Sequence, residues 1–173
     1  AVGVYLEMRP GGAVIVDGQL YQGPNLCNGT IEHMTLVPDG GECYCGQRGC
    51  MDVYCSPEAL TEDGESLSGF FSVLEQGEQE HRQRFSGWLG NVAQAIRNIR
   101  SMLAGDIIIG GEAAHYLDDD DVTTLKRLVE ERSAFHTDHF TLRKSLCLDN
   151  QNEIGAALRF VKTFIDEICG HAA

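Results

Sequence analysis

The chain has 173 residues, enough for a substantial hydrophobic core. Its formal net charge of −13 repels phosphate backbones and excludes DNA binding by this stretch itself. No apolar run approaches the roughly 20 residues that cross a bilayer, and no basic and then apolar leader is visible, so a cytoplasmic protein with no membrane partner is expected.

Val2 to Met8 reads as a strand with no start signal, so the chain is expected to be a piece of something longer that begins inside a sheet. Gly11-Gly12 breaks the run, and Ala13 to Val16 resumes it. Asp17-Gly18 is a hairpin turn signal, after which Gln19-Leu20-Tyr21 returns and Gly23-Pro24-Asn25 closes into a loop. Ile31 to Val37 alternates weakly and reads as another strand.

The next stretch carries the chemistry. His33, Cys43, Cys45 and Cys50 offer one imidazole nitrogen and three sulfurs, a set that suits tetrahedral zinc. Asp39-Gly40-Gly41 and the two glycines of Gly46-Gln47-Arg48-Gly49 supply the tight turns such a knuckle needs. Cysteines also serve as small buried hydrophobes or disulfide partners. This loop is polar and glycine-rich, however, and cysteines one residue apart make poor bridges. Four protein ligands close the coordination shell, so the zinc is expected to be structural. Cys27, Cys55, Cys147 and Cys169 are expected to be free thiols in a reducing compartment.

Ser56-Pro57-Glu58 reads as a helix start, with proline at the first helical position. A short helix is expected over Phe70 to Gln76, ending at Gly77. Gln79 to Leu103 is a long helix whose Phe85, Trp88, Leu89, Val92, Ile96 and Ile99 recur at three and four. Their stripe looks wider than one core contact requires, so a dimer formed through this face is expected. Ile107 to Ile109 is a buried strand followed by Gly110-Gly111, and Asp118 to Asp121 reads as a solvated helix N-terminus. Phe140 to Arg143 is a strand, and Asn152 to Ile168 a last amphipathic helix. The order predicts a mixed α/β layer structure, with 1–173 as one domain.

Gly29 to Met34, the spacing of the four ligands, and Met51-Asp52 resemble the zinc signature of the ROK family of bacterial sugar kinases and sugar-responsive repressors. The resemblance implies the C-terminal lobe of the actin-like, ribonuclease H-like ATPase fold. The catalytic aspartate and first phosphate motif of the family's kinases would lie before this chain. It also implies that a monosaccharide binds beside the zinc loop. The positions matching the family's two sugar-binding glutamates are Thr30 and Asp52, and Glu32 stands where a glycine is usual. Thr30, Glu32, His33 and Asp52 are therefore the candidate sugar ligands. Where family kinases carry threonine-glycine ahead of a glycine-rich phosphate turn, this chain has Met8-Arg9-Pro10-Gly11-Gly12. Proline lacks an N–H, and Arg9 is less flexible than glycine. No catalytic residue is assigned. The favoured reading is the sugar-sensing, oligomerising lobe of a transcriptional regulator, touching DNA only through a domain missing from this chain. The alternatives are the C-terminal lobe of a sugar kinase, and a purely structural dimerisation lobe.

Overall fold

The computed structural model describes residues 1–23, 28–134 and 139–169. Five strands form one mixed sheet: β1 (Val2–Tyr5), β2 (Gly11–Val16), β3 (Gln19–Leu20), β4 (Ile107–Gly110) and β5 (Leu142–Lys144), in the order β3-β2-β1-β4-β5. β1, β2 and β3 pair antiparallel, with Val2 opposite Val14. β4 lies parallel to both β1 and β5, with Val4 opposite Ile109. Parallel neighbours need long crossovers. The crossovers here carry α1 (Met51–Cys55), α2 (Leu67–Glu75), α3 (Gln79–Arg100) and α4 (Asp119–Arg132), and α5 (Gln151–Ile168) follows β5.

The hairpin turn forms as its Asp-Gly pair predicts: Asp17 (φ 50°) and Gly18 (φ 75°) are both left-handed, matching the strand twist. Gly11-Gly12 lies inside β2 instead of breaking the strand. A Cβ on Gly12 would sit 2.9 Å from Ile31 Cδ1, and the Gly12 amide donates to Gly29 O at 2.7 Å. The glycine thus lets the start of the cysteine-rich loop lie against the sheet. Ile31–His33 is a single 3₁₀ turn and not a strand. Only one isolated bridge, Thr35 to Cys50, follows within the expected strand. The Ser56-Pro57 signal starts no more than one 3₁₀ turn, Pro57–Ala59.

α3 corrects the reasoning for a dimer. Its Phe85, Trp88, Leu89, Val92, Ile96 and Ile99 are all within 9 % exposure inside this chain, packed between α1, α2 and α4. One core joins them to Val4, Leu6, Ile107 and Ile109 of the sheet. The stripe is wide because three helices use it. The exposed apolar face belongs to α5, where Leu158, Val161, Phe164 and Ile168 lie open. The acid run caps α4: Asp118 accepts from Asp121 N at 2.8 Å, and Asp121 accepts from Asp118 N at 3.1 Å. Cys55 and Cys50 are buried and Cys169 is exposed, all without disulfides. Cys27, and Pro24-Asn25 of the expected loop, lie outside the described residues.

Candidate metal centre

The loop from His33 to Cys50 folds back on itself through backbone bonds. Leu36 N donates to Gly49 O at 2.7 Å, Gly49 N to Gly41 O at 2.8 Å, and Cys43 N to Gln47 O at 2.9 Å. Gly49 (φ 77°) admits no side chain, because a Cβ there would sit 1.7 Å from Val37 O. Cys50 then leads straight into α1, which the sequence reading missed because proline at 57 was the stronger start signal.

The knuckle brings His33, Cys43, Cys45 and Cys50 together, with their ligand atoms all within 4.8 Å of one another. Cys45 Sγ lies 3.8 Å from Cys50 Sγ, and Cys43 Sγ lies 3.8 Å from His33 Nδ1. Zinc–sulfur bonds of about 2.3 Å in a tetrahedron give edges of about 3.8 Å, so the spacing fits zinc and is far too long for a disulfide. Burial pushes the Cys50 thiol up to about 12, while the Gln47 backbone holds Cys45 below its ordinary value. A cation among the sulfurs is what would make three thiolates compatible at this distance. Zinc here would tie the loop to α1 through Cys50 and supply no open coordination position.

Beside this cluster lies a group of polar side chains. Asp52, in the first turn of α1, is 5 % exposed, and its Oδ2 sits 3.9 Å from Cys43 Sγ. Arg9 reaches it from the turn after β1, with Nη1 at 3.3 Å from Oδ2. Glu32 places Oε1 3.7 Å from His33 Nε2. Three of the four expected sugar ligands, Glu32, His33 and Asp52, thus gather around the knuckle, while Thr30 is exposed at its edge. Two further residues belong to this group. Tyr44 Oη lies 3.2 Å from His33 Nε2, and the Arg9 guanidinium stacks 4.2 Å above the Tyr44 ring. The Tyr44 hydroxyl is raised by desolvation and by the Glu32 and Asp52 carboxylates. Its position between Cys43 and Cys45 was the available signal: two sulfurs held to one point turn the intervening side chain outward.

The turn after β1 also reaches the other way. Gln151 Nε2 at the start of α5 donates to Glu7 Oε1 at 3.0 Å. A cavity of about 350 Å³ opens there, at the carboxyl ends of β1 and β5, lined by Tyr5, Ser145, Cys147, Gln151, Asn152 and Gly155. Gly110-Gly111 needs no ligand to explain it: a Cβ on Gly111 (φ 88°) would meet the Leu6 backbone at 2.5 Å.

The ROK family model matches residues 1–163. The chain belongs to the ROK family. Among its curated relatives, this ROK chain is 30 % identical to an N-acetylmannosamine kinase of Vibrio cholerae over 109 residues, 58 % of this chain and 37 % of the kinase. The chain therefore spans well under two thirds of the curated relatives it matches. A ROK hexokinase from Thermus thermophilus superposes with a TM-score of 0.77 at 19 % identity, over 94 % of this chain and 57 % of that one. A ROK transcriptional regulator, a homologue of the Escherichia coli MLC protein, superposes with a TM-score of 0.70 at 19 % identity, over 83 % and 41 %. These likenesses establish the α/β fold of the ROK kinases and the same fold in a regulator. No helix among the described residues is long and apolar enough to cross a membrane.

Proposed function

We propose that this ROK chain is the sugar-sensing, oligomerising lobe of a cytoplasmic transcriptional regulator, stapled by a structural zinc on His33, Cys43, Cys45 and Cys50. DNA contact would belong to a domain outside residues 1–173. One observation carries the reading. The turn after β1, placed to cradle phosphate in the family's kinases, spends its side chains on the protein itself, Glu7 on Gln151 and Arg9 on Asp52. A carboxylate in that turn repels phosphate, and Pro10 has no N–H to offer it. A sensor needs a sugar site and no turnover. Glu32 and Asp52 would accept from the hydroxyls of a monosaccharide, since carboxylates accept from vicinal donors, and the zinc-bound His33 would donate its Nε2–H to a sugar oxygen. The second reading, the C-terminal lobe of a sugar kinase, is favoured by the likeness to the N-acetylmannosamine kinase.

Calorimetric titration of the zinc-loaded chain separates them. The sensor reading expects heat from a monosaccharide in a panel of hexoses and N-acetylhexosamines, and none from ATP with magnesium. ATP binding by the wild-type chain favours the kinase.

A further inference from the structure

Glu32 is a half-buried carboxylate whose chemistry the sugar reading leaves half used. Its side chain is 13 % exposed, and Oε2 is buried with no hydrogen-bond partner among the described residues. In a strand, Glu32 and His33 would point to opposite faces. The 3₁₀ turn Ile31–His33 folds the two side chains together, so that Oε1 stands 3.7 Å from Nε2 of the adjacent imidazole.

The two ring nitrogens of His33 face different chemistry. Nδ1 lies on the sulfur side, 3.8 Å from Cys43 Sγ, and Nε2 points away. A metal on Nδ1 leaves the ring proton on Nε2, and that proton needs an acceptor. Two groups are in reach. Tyr44 Oη is nearer, at 3.2 Å, but it belongs to a largely exposed side chain. Glu32 is a carboxylate screened from water, with Oε1 facing the ring at 3.7 Å and Oε2 left without a partner. Asp52, the other carboxylate near the knuckle, is already held by Arg9.

We propose that Glu32 is the outer carboxylate that positions His33 for the metal, a positioning residue acting through the imidazole. The proposal rests on the zinc reading of the knuckle. Partners of this kind orient the ring and raise its basicity as a ligand, and losing one typically weakens metal binding about 10–100-fold.

The test uses the full 173-residue chain as wild type, Glu32→Gln, Glu32→Asp and Tyr44→Phe. Zinc affinity is measured by competition with a chromophoric chelator, and the His33 Nε2–H proton is followed by ¹⁵N-histidine NMR. Glu32→Gln is expected to bind zinc about 10–100-fold more weakly, Glu32→Asp to recover part of the loss, and Tyr44→Phe to bind like wild type. In the zinc-loaded chain the Nε2–H signal should be protected from exchange in Tyr44→Phe as in wild type, which separates Glu32 from the tyrosine as acceptor even if a Glu32 variant fails to fold. Equal affinity in Glu32→Gln, loss in Tyr44→Phe alone, or an unprotected Nε2–H overturns it. A wild type that binds no zinc fails the metal reading itself, a separate result.

Discussion

Arg9 and Asp52, 43 residues apart in sequence, meet at 3.3 Å between the turn after β1 and the first turn of α1. The carboxylate is nearly sealed while the guanidinium side chain is 52 % exposed and lies on the Tyr44 ring. Removing one partner of a fully buried pair costs about 3–5 kcal/mol, and an exposed pair is worth under about 1 kcal/mol. With one partner on each side of that divide, Arg9→Met should cost about 1–2 kcal/mol in urea unfolding of the zinc-loaded chain. In a double-mutant cycle, Asp52→Asn should remove most of that cost. Strict additivity of the two substitutions would mean that the contact contributes no coupling.

The His/Cys donor cluster was legible in the sequence because it depends on donor types and on glycines at fixed places. Gly49 is required by the approach of Val37 O, and His33 and the three cysteines converge as their spacing implies. Most strands and helices were legible too, but not α1, and the strand expected over Ile31 to Val37 is a 3₁₀ turn. What could not be read was where surfaces meet. The α3 stripe looked like surplus because periodicity does not say how many neighbours share a face. Arg9 looked like a lost phosphate residue, and only the fold shows it reaching Asp52. That Glu32 lies beside His33 could not be read, because a local 3₁₀ turn replaces the alternation of a strand.

Zinc removal should loosen α1 first. Cys50 sits at the N-cap position of that helix, and at its other end Trp88 donates its indole N–H to Cys55 O and Ser56 O, both at 3.2 Å. Zinc binding in small zinc domains is worth about 10–16 kcal/mol, comparable to the whole stability of a domain. Chelation should therefore lower the melting temperature, shift the emission of the single tryptophan and open three thiols to alkylation. Cys50→Ser should do the same without chelator. Unchanged emission and protected thiols after exhaustive chelation would count against a structural metal.

A pH-dependent tether fixes the N-terminus of α3. His81 Nδ1 lies 2.7 Å from Glu78 Oε2 and Nε2 lies 2.8 Å from Glu65 Oε1, an arrangement that asks for a doubly protonated ring. Arg84 Nη1 holds Glu65 at 2.9 Å and has Glu62 at 3.9 Å, while its Nη2, 3.0 Å from His81 Nε2, opposes the imidazolium. The hydrogen bonds to Glu78 and Glu65 raise His81. Arg84 is the main cause holding Glu65 at about 2, and the His81 backbone amide is the main cause for Glu78, also at about 2. A raised histidine stabilises fully below about 6.5, and the contribution fades as pH rises through the folded value. The lowered carboxylates stabilise above about 4.5, and theirs fades as pH falls toward about 2. The stability gap between wild type and His81→Gln should therefore be wide at pH 5–6 and narrow by pH 9. A gap that widens with pH would show the ring to be neutral.

The last expectation concerns α5. Ile154, Leu158, Val161, Phe164, Ile165 and Ile168 recur at three and four along it, and all are exposed. A continuous apolar stripe of this kind on an acidic, otherwise well-packed chain drives association. The zinc-loaded chain should form a reversible dimer at micromolar concentration in sedimentation velocity, with the same stripe used by both copies. Phe164→Glu should return it to monomer without changing the circular dichroism. Trp88→Glu should behave differently, because Trp88 is sealed in the core and a charge there disrupts folding. If the wild type stays monomeric at every concentration and Phe164→Glu changes nothing, the α5 face is one that protein outside this chain covers, and the lobe does not dimerise through it.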